Sequence, residues 1–316
     1  MKVDKFTPPH PLNTAILFLV FNRLDTTKKI FEAIRQAKPP RLYVAADGAR
    51  VNVEGDVEKV QAVRNYVMQN IDWDCEVKTL LRDENLGCKY ANSSSITWFF
   101  ENEEKGIILE DDCLPNQSFF WFCEELLERY EKDLRVWHIS GNNFQNGIER
   151  SNKSYYFSKF AHIWGWASWA NRWRHFDAEM NSFSQFKNEG LITSLFSEIK
   201  DQRYWLDIFD SVYKKEFNTS WDYQWVYTIL SNNGLSIAPN KNLVSNIGFG
   251  SRSTHTHDTN HLHANIPSKE IIIPLVHPKF VLFNSRADSY ETSKGNLISR
   301  IINKIARMTI GKNIIK

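Results

Sequence analysis

No stretch of about 20 apolar residues occurs anywhere in the chain, so nothing in it reads as a membrane-spanning helix. The first apolar run follows Pro8, Pro9 and Pro11 and is too short and too late for a secretory leader. Cysteine is scarce. Cys75, Cys88, Cys113 and Cys123 lack the paired short spacings of a zinc site, and a chain of 316 residues needs no disulfides to fold, so reduced thiols are expected. An excess of either charge is missing too: 39 Lys and Arg face 37 Asp and Glu, a formal net charge of +2. No global field gathers nucleic acid, and any basic site must be local. A cytoplasmic location is the default expectation.

What is present is a large core-forming fraction, 42% hydrophobic and 14% aromatic. The first half alternates strand-like and helix-like segments. Ala15 to Phe21 is continuously apolar, as in a strand covered on both faces, and Asp25 to Ala37 has helical periodicity with Asp25 placed to cap it. Strands are expected at Arg41 to Gly48, Glu76 to Leu81, Gly106 to Leu109 and Val136 to Ser140. Helices are expected at Glu54 to Asn70, Ala91 to Glu103 and Gln117 to Lys132. Such alternation predicts an α/β fold, an open and mostly parallel sheet between helical layers.

Ligands of such sheets gather beyond the carboxyl ends of the strands. Three loops there are polar: Phe21 to Asp25 with Arg23, the turn at Asp47 and Gly48, and the triplet Glu110, Asp111 and Asp112. Three consecutive acids at the end of an apolar strand repel one another, and a divalent cation is one way to offset that repulsion. A plain acidic turn is the other.

In order, the segments ILFLVFNR, YVAADG, ENLG, ILEDDCLPNQSFFWF, GWASW and WDYQW resemble nucleotide-sugar glycosyltransferases of the GT-A fold. The similarity is greatest to the inverting N-acetylglucosaminyltransferase I type and to bacterial capsule and lipopolysaccharide transferases, over roughly Ala15 to Thr256. The resemblance implies a three-layer α/β/α sandwich with a donor half at 15–150 and an acceptor and catalytic half of the same domain at 151–256. An N-terminal extension, 1–14, and a C-terminal extension, 257–316, flank them. It places Phe21, Arg23 and Asp47 around a uridine base and α-phosphate, and Glu110 and Asp111 at the ribose and donor sugar. Asp112 becomes the ligand of a manganese or magnesium ion held by the diphosphate. Partners would be a nucleotide-sugar donor and a glycan or lipid-linked glycan acceptor, with no nucleic acid.

The second half is rich in tryptophan. Trp169, Trp173, Trp205 and Trp225 read as an aromatic core, whereas Trp164 and Trp166, flanking Gly165, are candidates for stacking on an acceptor sugar. A hydroxyl acceptor needs a base, and Asp222 in WDYQW occupies the segment where the similar enzymes carry one, although Tyr223 stands where a second acid is often found. Capping a helix is the alternative role for Asp222. Gly248, Gly250 and His255 suit a loop closing on a diphosphate, with His255 the best histidine for metal or diphosphate contact. Near 296–310 a basic amphipathic helix, with Ile298, Ile301, Ile302 and Ile305 on one face, suits peripheral contact with the inner face of a membrane. A sugar-1-phosphate nucleotidyltransferase and a non-catalytic carbohydrate-binding protein are the competing functions. The residues after the first strand, FNRLD, lack the glycine-rich basic signature expected of the nucleotidyltransferase.

Overall fold

The computed structural model describes residues 6–215, 220–249 and 263–292. Along the chain the elements are β1 (Ile16–Val20), α1 (Leu24–Ala37), β2 (Arg41–Ala46), α2 (Asp56–Gln69), β3 (Glu76–Leu81), α3 (Gly87–Asn102) and β4 (Lys105–Glu110). There follow β5 (Cys113–Pro115), α4 (Ser118–Arg129), β6 (Val136–Ser140), β7 (Tyr155–Ser158), β8 (Trp166–Trp169), α5 (Ala170–Trp173), α6 (Phe183–Asn188) and α7 (Ile192–Leu195). Last come α8 (Ile199–Tyr213), α9 (Asp222–Ser231), β9 (Leu235–Pro239) and β10 (Val244–Asn246).

β1 has no polar side chain to offer solvent, and it is buried along its length between β2 and β4, parallel to both. Its side chains alternate between two cores. Ile16, Phe18 and Val20 meet Ile30, Phe31 and Ile34 of α1, whereas Leu17 and Leu19 face Ile96 and Phe99 of α3 and the tryptophans of the second half. A sheet apolar on both faces needs a layer on each, and the three-layer sandwich follows.

The sheet runs β3-β2-β1-β4-β8-β6-β9-β7. Six of its eight strands point one way; β8 and β7 run against their neighbours. β6 therefore does not lie beside β4, as simple alternation would have it. The later strand β8 inserts between them, with Ala167 opposite both Ile107 and Ile139, so the halves of the chain on either side of residue 150 share one sheet. A third apolar cluster, built by α6 to α9 around Phe183, Phe209 and Tyr227, extends the second half. The four cysteines are free thiols.

Two helix starts differ from expectation. Arg23, not Asp25, holds the N-cap position of α1; Asp25 sits inside the first turn, at the positive end of the helix dipole. α3 begins at Gly87, four residues before Ala91, because Gly87 takes a φ of 73° that turns the chain into the helix.

One glycine is fixed by space. A Cβ on Gly106 of β4 would lie 2.2 Å from Cζ of the buried Phe99 and 3.0 Å from the carbonyl oxygen of Ala15. Neither can retreat, since Phe99 is core and Ala15 leads into β1. Gly106→Ala is expected to destabilise the fold by about 1–3 kcal/mol, the usual effect of overpacking, read as a lowered midpoint in urea unfolding with unchanged slope.

Candidate functional site

The carboxyl ends of β1, β2 and β4 gather the predicted acids and their counter-ion. Arg23 follows β1, and its guanidinium bridges two acids: Nη2 donates to Asp111 Oδ1 at 2.5 Å and lies 3.0 Å from Asp112 Oδ2. The other oxygen of Asp111 accepts from the backbone N–H of Phe21 at 3.3 Å. Burial works against a charge on Arg23, but the two carboxylates outweigh it and hold the guanidinium protonated. Asp111 is buried, whereas the side chain of Asp112 keeps 15% of its surface exposed.

Glu110 is the least compensated of the three. Burial raises its pKa, the charges of Asp112 and Asp111 raise it further, and Arg23 offsets only part of this. Its Oε1 is buried with no hydrogen-bond partner among the described residues. Asp111 is also raised, by burial first, with Arg23 pulling the other way.

Asp222 approaches from the far half of the chain. It adds to the electrostatic penalty on Glu110, and together with Glu110, Asp112 and Asp47 it raises the thiol of Cys88, which burial already pushes up. These four acids therefore surround the first turn of α3. Asp222 is the first residue of α9, not its N-cap, which is Trp221, but its carboxylate meets the amides of Asp222 and Tyr223 and so also serves the helix start from within the first turn. Burial pushes its pKa up to about 6, with the amides of Asp222 and Tyr223 favouring the charged form, and its Oδ1 has no partner among the described residues.

Tryptophan packing fixes that position. Trp221 and Trp225, one helical turn apart, pack with Trp166 and Trp173 at centroid distances of 4.9–6.1 Å. Buried His138 locks the cluster from behind: Nε2–H donates to the carbonyl of His162 at 3.0 Å, which leaves Nδ1 to accept from Trp225 Nε1–H at 3.2 Å. Burial lowers the pKa of His138 to about 3, so it stays neutral.

Several expectations change on this geometry. Trp166 cannot stack on a sugar: it is wholly buried, with His138 stacked on it at 5.0 Å and three tryptophans around it. Trp164 is partly buried and contacts Phe144, Phe249 and His263 edge-on. Trp169, Trp173, Trp205 and Trp225 are core, as expected. Asp47 lies at the end of β2, but its carboxylate is engaged by the loop before α3. Oδ1 accepts from the amides of Gly48 and Leu86, at 3.0 and 2.9 Å, and Oδ2 from Gly87 N and Asn85 Nδ2, at 3.1 and 2.9 Å. It fixes the segment ENLG and so the start of α3. His255 and the 296–310 segment lie outside the described residues.

Sequence reasoning missed Asp56, which is fully buried and takes Asn22 Nδ2 at 2.6 Å and three bonds from Arg50 at 2.9 Å. Arg50 also lies over the ring of Phe21, 5.4 Å from its centroid. It missed Cys88 as well; its place directly after ENLG was the available signal.

Gly248 roofs the acids. The amide of Ile247 donates to the carbonyl of Asp112 at 2.8 Å, and a Cβ on Gly248 would fall 2.2 Å from Asp112 Oδ2 and 2.8 Å from Arg23 Nη1. Among the described residues no three His, Cys, Asp or Glu side chains are arranged to hold a metal by themselves. One guanidinium for the three acids of the triplet, with Glu110 Oε1 unpartnered, leaves hard oxygen donors short of positive charge. That donor set fits a cation that takes its remaining ligands from a bound molecule.

No protein-family model matches the chain, and no curated protein does. Similar solved structures include HddC from Yersinia pseudotuberculosis, at 9% identity and a TM-score of 0.32, covering 50% of this chain and 78% of that one. The galactosyltransferase LgtC in complex with donor and acceptor sugar analogs has 14% identity and a TM-score of 0.32, over 55% of this chain and 64% of that one. A UDP-glucose pyrophosphorylase complexed with UDP-glucose has 11% identity and a TM-score of 0.30, over 52% and 79%. Likeness of this extent carries no argument about activity, which rests on the chemistry of the acidic strand end itself.

Proposed function

We propose that this protein is a glycosyltransferase that moves a sugar from a nucleoside-diphosphate sugar, most simply a UDP-sugar, to a hydroxyl of a glycan or lipid-linked glycan, with inversion, in bacterial surface polysaccharide synthesis. One observation carries the proposal: a carboxyl with one buried, unpartnered oxygen, Asp222, acts electrostatically on an arginine-bridged acidic strand end where a sheet of this kind binds ligands.

Each residue then has a task. Arg23 stands at the N-terminus of α1, and its guanidinium and the positive end of the helix dipole suit the donor's phosphates. Asp111 holds Arg23 and the Phe21 amide in place. Glu110, raised towards its neutral form, can give and accept hydrogen bonds with hydroxyls of the transferred sugar. Asp112 would share a manganese or magnesium ion with diphosphate oxygens, and the bound ion would stabilise the negative charge of the leaving nucleoside diphosphate. Asp222, ionised, takes the proton from the acceptor hydroxyl as the new bond forms. No helix among the described residues is long and apolar enough to cross a membrane, so access to a lipid-linked acceptor would be peripheral, with 296–310 a candidate contact.

Transfer or hydrolysis of nucleotide sugars, measured with and without manganese, tests the reading. Asp112→Asn should lower the metal-dependent rate by about 100-fold or more, as expected when charge stabilisation of the leaving group is lost. Activity unaffected by both chelator and substitution would remove the metal role. Pyrophosphate release from a nucleoside triphosphate and a sugar 1-phosphate would show nucleotidyl transfer instead.

Asp222→Asn should lower kcat by about 10²–10⁴-fold while donor affinity is retained. The wild-type kcat/KM should rise with pH through an acid limb near 6, because only the ionised carboxylate accepts a proton. Stability should move the other way. A folded pKa of about 6, above the unfolded value near 3.9, means the native state keeps a proton that the unfolded chain has released. Its stabilising effect is present at low pH and lost as pH rises from about 4 through 6. Asp222→Asn should therefore melt higher than wild type at pH 8, with the difference shrinking below pH 4 or so. A lower melting temperature at pH 8 would make the residue structural.

A further inference from the structure

The sheet edge farthest from the donor loops carries an apolar surface that the proposed reaction does not use. β7 is the last strand of the sheet, and residues 276–284 cover its open edge. Backbone bonds hold them there: Ser154 N donates to Val276 O at 2.9 Å, Asn284 N donates to Phe157 O at 2.8 Å, and Phe283 bridges Phe157. Covering an edge usually hides apolar side chains. Here they point out: Leu282 is 72% exposed, Phe280 66%, Val276 52% and Phe283 41%. Phe280, Leu282 and Phe283 line a groove of about 380 Å³ with Lys153 and Arg286.

Basic side chains stand beside these rings. From 271 to 287 the chain holds Lys279 and Arg286 and no acid. Lys279 lies over the ring of Phe280, 5.5 Å from the centroid, and Lys159 over Phe283 at 4.1 Å. The acids near this surface are engaged: Glu125 pairs with His277 at 3.1 Å and accepts from Leu275 N, Asp288 accepts from Ser158 Oγ at 2.6 Å, and Glu291 pairs with His162 at 3.0 Å. Thr292, where the described chain ends, is buried. The following 24 residues hold six Lys or Arg and no acid.

We propose that Val276, Phe280, Leu282 and Phe283, ringed by Lys153, Lys279 and Arg286, are a docking face for an anionic lipid surface. Exposed aromatic and aliphatic side chains enter the headgroup boundary while lysine and arginine meet lipid phosphates. Like charge argues against the obvious competitor, the chain's own C-terminal segment folding onto the groove. That segment and the face are both basic, so they repel each other and share an affinity for a third, anionic body. A second copy of the chain would bring the same repulsion.

The test uses the full chain and sedimentation with vesicles of neutral lipid or of about one-third phosphatidylglycerol, near 0.1 M salt and again near 0.5 M. The wild type should bind the anionic vesicles only, and more weakly at high salt. Phe280→Ser with Leu282→Ser, and separately Lys279→Glu with Arg286→Glu, should each weaken binding about tenfold or more, with unchanged melting temperature because these side chains are exposed. Removing 293–316 should weaken binding further without abolishing the difference between wild-type and altered faces. Unchanged binding by both double variants, equal binding to neutral vesicles, or loss of a dimer rather than of vesicle binding would overturn the proposal.

Discussion

Three carboxyls on consecutive residues, held at the end of a buried strand against a single guanidinium, set the terms for the rest of the molecule. β4 can deliver Glu110, Asp111 and Asp112 to one place only because it lies between β1 and β8 in the interior of the sheet. Arg23 neutralises part of the charge and ties the loop after β1 to the loop after β4. The residue above them must be glycine, since even a methyl group at 248 would collide with Asp112. What remains uncompensated, Glu110 with its buried orphan oxygen, is tolerated in the free protein and suited to a ligand that brings charge and hydroxyl groups.

The second half of the chain exists, in this account, to place one more carboxyl. Trp166, Trp173, Trp221 and Trp225 form a rigid block with neutral His138 behind it, and α9 is anchored by two of those rings on the turn that carries Asp222. Rigid packing lets an acid persist with one buried oxygen unpartnered, at the expense of stability above its raised pKa. These four tryptophans thus act through position.

The first half of the chain was largely legible from sequence because its signals are local. A continuous apolar run such as ILFLV, or helical spacing as in α1, is decided within a few residues, and the acidic triplet is visible as such. Long-range partners were not. Nothing around Asp47 says that its oxygens are taken by a loop 38 to 40 residues on, and nothing in WASW says that it slips between two earlier strands and loses every face of Trp166 to the core. Asp56 escaped notice because its partners, Asn22 and Arg50, are joined to it only by the fold. The electrostatic coupling of Asp222 to Glu110 lay between these cases: the segment stood out in sequence, and the burial that raises its pKa appeared only in three dimensions.

Calorimetric titration of a nucleoside diphosphate into the protein, with manganese and again with chelator, bears most directly on the acidic triplet. The account predicts a single site that tightens by about tenfold or more with the metal, is lost in Asp112→Asn and persists in Asp222→Asn. Binding that ignores both the metal and Asp112 would contradict it.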